Sequence, residues 1–247
     1  MAADKSTSNA TPNLAEARGP ERQERRISEN YVFRERGDGG LEMVGDFDGL
    51  YRAEADPWGQ SGGDARMGDY YRYSRANIIR LLAGLPARPR VLEVGCGLGQ
   101  VCRQIADAGV AAGVAGADVS PVAIEKARGL HPDIQFLVAD VTAPGFARTV
   151  GTWDVVILNQ LLWYVLEGLP QVLVNAREVL KDDGWLLITN AFLREPQRYG
   201  AAIVDGFDGL IRYLAANTAS RFRFVDARLH GDPAWRHEDG YVLMAAR

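Results

Sequence analysis

The sequence predicts an α/β fold, a doubly wound and mostly parallel sheet with helices on both faces. Three observations carry this expectation. From residue 90 onward, apolar runs of strand length alternate with segments of helical period. Those runs are near-continuous Val, Ile and Leu, as in strands buried on both faces. A glycine-rich turn then joins the first run to the first helical segment.

Taken in order, residues 1–20 are rich in Ala, Ser, Thr, Asn and Pro, and residues 21–36 form a charged run of nearly balanced sign. Such composition buries little, so residues 1–40 are expected as a mobile or docked arm. Residues 41–86 are expected as a helical, aromatic lid. Phe47, Tyr51, Trp58, Tyr70, Tyr71 and Tyr73 crowd into it, on either side of a loop signal at 60–64. Its helix spans 72–85, where Ile78, Ile79 and Leu82 share a face, and Pro86 and Pro89 stop it. Residues 87–247 make the main domain. Strands are expected at 90–94, 114–119, 134–139, 153–159 and 184–190, with helices at 101–108, 122–130 and 169–180. A helix at 200–216 follows, then strands at 222–229 and 241–246 joined by a loop over 230–240.

Composition narrows the function. With 47% hydrophobic residues over 247 positions, the chain can bury a core without disulfide or metal staples. A net charge of -4 argues against a sequence-independent grip on nucleic-acid phosphates, which needs a basic face. No apolar run reaches the roughly 20 residues of a membrane span, and no apolar signal segment opens the chain. Cys96 and Cys102 lie too close together to frame a disulfide scaffold, which fits a reducing, cytoplasmic setting. There is no paired Cys motif and no close His pair, so no metal is expected. The expected partner is a small molecule, with neither nucleic acid nor membrane, and the chain is a monomer or homodimer.

The chemistry is written in the turns after the strands. Gly95, Gly97 and Gly99 fall where the first strand bends into its helix, so the backbone can approach a ligand closely beside a positive helix terminus. A dinucleotide fingerprint reads G-x-G-x-x-G. This turn reads G-x-G-x-G with Gln100 next, and it lacks the Lys-Ser or Lys-Thr of a phosphate loop, so it suits a ligand without a pyrophosphate. Asp118 ends the second strand, where an acid can accept from both hydroxyls of a ribose. Ser120 before Pro121 is the better helix cap, which frees Asp118 for that role. Asp140 and Val141 end the third strand. There a carboxylate beside an apolar residue suits the amine of a sandwiched adenine, with a plain turn or cap role as the alternative.

With those residues in place, the chain resembles the class I S-adenosylmethionine-dependent methyltransferases. The resemblance rests on Glu93-Val94-Gly95-Cys96-Gly97-Leu98-Gly99, then Asp118, Ala139-Asp140, Trp153-Asp154-Val155-Val156 and residues 180–186, in matching order. It implies a Rossmann-like, seven-stranded sheet whose last strand is antiparallel, and S-adenosyl-L-methionine as cofactor. It further implies that Gly95, Gly97 and Gly99 flank the methionine part, Asp118 the ribose, and Asp140 and Val141 the adenine, with Glu93, Val119 and Asn159 also expected to bind the cofactor. Phe47–Arg52, Ala55–Gly59, the Tyr-rich helix from Tyr70 and Leu161–Val165 are similar to the nodulation N-methyltransferases, which act on an amino sugar. The implied function is methylation of an amino or hydroxyl group on a sugar-bearing metabolite in a biosynthetic pathway. A non-catalytic cofactor-binding scaffold is the alternative.

The acceptor side follows from the sheet edge, since ligands of open α/β sheets bind at the carboxyl ends of the strands. Asn159 and Gln160 are delivered there by the fourth strand, followed by Trp163 and Tyr164. His230 and His237 flank a loop on that same edge if the sixth strand runs parallel, and they are the candidate bases with Tyr164. His131 lies on the wrong edge and is read as structural. Arg75 could meet the cofactor carboxylate, or be a surface helix arginine. Trp58, Tyr71, Trp163 and Trp235 are candidate stacking surfaces for the acceptor.

Overall fold

In a computed structural model, residues 31–60 and 65–247 of the chain are described. The chain opens on a short antiparallel hairpin, β1 (Phe33–Glu35) and β2 (Leu41–Met43), then two helices, α1 (Phe47–Ala53) and α2 (Ala65–Ala83). The alternating unit follows as β3 (Arg90–Val94), α3 (Gln100–Asp107), β4 (Gly113–Asp118), α4 (Pro121–Leu130), β5 (Gln135–Val138), α5 (Phe146–Val150), β6 (Trp153–Asn159) and α6 (Leu169–Val179). It ends with β7 (Leu180–Leu193), α7 (Gly206–Thr218), β8 (Phe222–His230) and β9 (His237–Ala246).

Seven strands form one sheet in the order β5-β4-β3-β6-β7-β9-β8. The pairs β3 with β4, β4 with β5, β3 with β6 and β6 with β7 are parallel. β9 is antiparallel to both β7 and β8, so β8 runs with the other strands and only β9 runs against them. The expected sheet with its last strand reversed is therefore present.

Both faces are covered, which is why the central strands carry no polar alternation. Val155, Val156 and Ile157 of β6 are fully buried, and they point to opposite sides. One face packs against α5, α6 and α7 through Phe146, Leu169, Leu173, Leu210, Phe192 and Phe222. The other packs against α2 and α3 through Ile78, Leu82, Val101 and Ile105.

Several boundaries differ from the sequence expectation. The first thirty residues of the expected arm lie outside the described residues, as does part of the 60–64 loop. Residues 31–40 are no loose arm: Val32 is 1% exposed and Phe33–Glu35 pair with β2. α2 begins at Ala65 rather than 72, because its first turns carry no apolar period to read. α7 begins at Gly206 rather than 200. β8 runs on to His230, β7 to Leu193, and β9 starts at His237, so the expected 230–240 loop shrinks to 231–236, with β7 and β9 paired from Leu193↔His237 to Asn190↔Gly240. Long-range pairing overrode the local turn signal of Gly240 here. His237 is consequently held on a strand.

Candidate functional site

The carboxyl ends of β3, β4, β5, β6 and β7 open into a cavity of about 690 Å³. Its floor is the β3–α3 turn. Gly95 and Gly97 both have left-handed backbone, at φ 73° and 52°. A methyl group on Gly95 would sit 2.8 Å from Leu161 Cδ1, and one on Gly97 2.5 Å from the Tyr51 hydroxyl oxygen. Side chains are thus excluded twice, by conformation and by space. Gly99 differs. It is also left-handed, but it does not line the cavity, and its face is filled by Phe136 at 2.5 Å from where a Cβ would stand. Gly99 is placed to start α3 and pack on β5.

Asp118 closes the second side. It is 8% exposed and accepts the Gly97 and Ser120 backbone N–H groups, each at 2.9 Å. Burial raises its pKa, and those two N–H groups pull the other way. Ser120 caps α4 through the Ala123 N–H, with Pro121 at the first helical position. The Ser120 hydroxyl also donates to Asp48 of α1, which pins the lid above Asp118. Val119, 47% exposed, and Val141 line the cavity beside Ala139. Asp140 is exposed at the same end and accepts the Thr142 N–H at 2.8 Å and the Thr142 hydroxyl at 2.6 Å. It does not cap α5, whose N-cap is Gly145.

Glu93 sits beneath the turn, 1% exposed, yet facing the cavity. Its carboxylate accepts the Cys102 N–H at 3.1 Å, the Cys102 thiol at 3.0 Å and Asn159 Nδ2 at 3.1 Å. Thr189 Oγ1 donates to Asn159 Oδ1 at 2.8 Å, which fixes the amide orientation. Burial pushes Glu93 up to about 7, against the pull of these donors and of Arg75. Arg75 itself is outside the lining. It is 9% exposed, stands 5.2 Å over the Tyr71 ring and donates to the Gln60 carbonyl at 3.3 Å. It is no surface arginine: burial lowers its pKa, against the opposing pull of Glu93, Tyr71 and Asp56.

The far half of the cavity is aromatic. The Tyr164 ring lies 5.9 Å from Phe33, 5.5 Å from Phe47 and 5.6 Å from Trp58, and Phe33 lies 5.0 Å from Tyr199. Trp58 Nε1 donates to the Tyr51 hydroxyl at 3.0 Å, and the Tyr71 hydroxyl donates to the Trp58 carbonyl at 3.0 Å. Trp163 lines the cavity and donates to the Ala191 carbonyl at 2.9 Å. His237 also lines it, and burial, with the nearby Arg236, holds its pKa down.

Besides Gly99 and Arg75, the structure separates two expected acceptor-side residues from the cavity. His230 and Trp235 do not line the cavity. His230 stacks on Tyr73 at 4.6 Å, and Trp235 lies 4.9 Å from Tyr73. The early start of β9 folds both onto the outside of α2. Other lining residues escaped the sequence reading: Phe33, Leu41 and Met43 of the hairpin, and 195–199 after β7. Three-residue strands leave no alternation to detect. Tyr70 also lines the cavity, and its only sequence signal was its place in a Tyr-rich helix. Among the described residues, no group of three or more His, Cys, Asp or Glu side chains could hold a metal ion.

Comparison with known proteins places this geometry. A model of the methyltransferase domain matches residues 91–184. The ubiquinone biosynthesis O-methyltransferase of Pseudomonas aeruginosa is 28% identical over 169 residues, covering 67% of this chain and 69% of that protein. Among solved structures, the N-methyltransferase NodS of Bradyrhizobium japonicum, in complex with S-adenosyl-L-homocysteine, superposes with a TM-score of 0.60. It shares 19% identity, over 78% of this chain and 93% of that one. Magnesium protoporphyrin IX methyltransferase of Synechocystis gives a TM-score of 0.61 at 16% identity, over 81% and 97% of the two chains.

Proposed function

We propose that the chain, whose residues 91–184 match the methyltransferase-domain model, is a class I S-adenosylmethionine-dependent methyltransferase, and that it methylates an amino or hydroxyl group of a small, sugar-bearing metabolite held in the aromatic half of the cavity. The observation that carries this reading is the division of one cavity into two unlike halves. One half is a side-chain-free turn flanked by the buried acids Glu93 and Asp118. The other is walled by rings from Phe33, Phe47, Trp58 and Tyr164.

The residues present fit the cofactor. In this reading Gly95 and Gly97 cradle its methionine part, Glu93 faces its ammonium, and Asp118 and Val119 hold its ribose. Val119 and Val141 form the walls of an adenine slot, with Asp140 at its rim. Asn159 keeps Glu93 oriented, and Arg75 acts from behind Tyr71 and Glu93. When bound, the cofactor supplies a methyl group on a positively charged sulfur. The protein's own task is to align the acceptor in line with that bond and to exclude water, worth roughly 7–11 kcal/mol when alignment is good. Aromatic faces suit the apolar face of a sugar or another ring. Trp58, Tyr71, Trp163 and Tyr164 are the acceptor contacts, and His237, kept neutral, orients the acceptor's polar group.

Incubation of the protein with radiolabelled S-adenosylmethionine and a panel of amino-sugar and hydroxylated metabolites tests this. Label transfer to a sugar-bearing compound supports the proposal. Transfer confined to acceptors without a sugar would refute the substrate class.

A further inference from the structure

One polar group on the cavity wall is used by neither the cofactor cradle nor the aromatic contacts. Tyr70 of α2 is 3% exposed and lines the cavity. Its hydroxyl oxygen accepts from Gln160 Nε2 at 2.9 Å. The sense of that bond is fixed, because Gln160 Oε1 accepts the Ala191 N–H at 2.9 Å and only the amide nitrogen is left for Tyr70. Gln160 holds this pose at φ 54°, the one non-glycine residue at positive φ among those described. Such strain gathers at functional sites.

Tyr70 therefore receives one hydrogen bond and must donate its own proton elsewhere. The carboxylate its hydroxyl faces is Asp239 of β9, 2% exposed beneath α2. Asp239 Oδ2 accepts from Asn77 Nδ2 at 3.3 Å. Asp239 Oδ1 completes no hydrogen bond among the described residues, so it is open to the Tyr70 proton. The Ser74 hydroxyl faces the same carboxylate from α2, and His230 faces it from β8, where the two residues are cross-strand partners.

We propose that Tyr70 takes the proton of the methyl acceptor and passes its own phenolic proton to Asp239, which acts as the positioning residue and final proton holder. A phenol oxygen has two lone pairs. Gln160 occupies one, and the other is left to take a proton from the cavity that Tyr70 lines. The step balances: the acceptor's N–H or O–H bond breaks as its lone pair takes the methyl group. A new O–H bond forms on Tyr70, and the former Tyr70 proton bonds to Asp239 Oδ1. Nothing is oxidised or reduced. Burial raises Asp239 above the ordinary aspartate range, which makes it a better proton holder than an exposed carboxylate. His237 is the poorer base, because burial and Arg236 both disfavour its charged form.

This inference rests on the methyl-transfer reading, and its test separates the two. The full-length variants Tyr70→Phe, Asp239→Asn and the double variant are compared, with folding checked by thermal melting. The first readout needs no acceptor: carbon-13 NMR of aspartate carboxyls with S-adenosylhomocysteine bound. One resonance, absent in Asp239→Asn, titrates above the ordinary aspartate range. Tyr70→Phe raises its midpoint by about half a unit, because the carboxylate loses a donor. The second readout is turnover of the acceptor that the label screen returns. Each single variant loses about 100-fold in kcat, and the double variant loses no more. Asp239→Asn also loses the acidic limb of the kcat profile, while S-adenosylhomocysteine affinity stays within about threefold of wild type. An unmoved Asp239 midpoint in Tyr70→Phe, or Tyr70→Phe turnover within about twofold of wild type, overturns the proposal. Failure of wild type to bind S-adenosylhomocysteine overturns the methyl-transfer reading, and the relay with it.

Discussion

Gly97 and Glu93 show how single residues set the cavity's chemistry. Gly97 is confined by φ 52° and by the Tyr51 hydroxyl 2.5 Å from a would-be Cβ. Gly97→Ala must strain the turn or displace Tyr51. The expected result is at least a tenfold loss of S-adenosylhomocysteine affinity in calorimetry, about 1.4 kcal/mol. Glu93 carries the opposite kind of information. Its pKa is raised from 4.5 to about 7, so the folded state holds a proton that the unfolded state gives up over that window. Its burial therefore costs stability progressively as pH rises from 4.5 to 7, and not below. A cofactor ammonium set against Glu93 favours the carboxylate, so binding at pH 7 should release a fraction of a proton. Calorimetry in phosphate and in Tris should then give different binding enthalpies. Equal enthalpies would contradict the Glu93 assignment.

At the level of elements, the strands of the alternating unit were legible because their apolar runs were unbroken. Trp153–Asn159 was read with its observed bounds. The turn glycines and Asp118 were legible because their place after β3 and β4 is local. What the sequence hid was non-local. The β1–β2 hairpin is too short to show a period, and β9 gained its first residues by pairing with an extended β7. That extension put His237 on the cavity wall and carried His230 and Trp235 away from it. Under the proposed function, Phe33, which the hairpin brings to Tyr164, walls the acceptor. Phe33→Ala should raise the acceptor KM by roughly tenfold, with cofactor affinity unchanged. The α1–α4 contact gives a stability counterpart. Ser120→Ala removes the α4 cap and the donor to Asp48, and should cost about 1 kcal/mol in urea denaturation. An unchanged midpoint would show that Ser120 does not cap α4 in solution.

For the molecule as a whole, one sheet presents its strand ends to one chamber, and the N-terminal elements close that chamber from above. Strands β3, β4 and β5 supply the glycine-turn half of the chamber, β6 and β7 the junction, and the hairpin with α1 and α2 the aromatic half. Fold likeness fixes the architecture; the function claim stands on the site residues. The most direct test is a crystal structure of the protein with S-adenosylhomocysteine. The account predicts the homocysteine part over Gly95 and Gly97, both ribose hydroxyls within hydrogen-bond reach of Asp118, and the thioether turned toward Tyr164. A nucleoside bound elsewhere, or one that leaves Asp118 without a ribose contact, would contradict it.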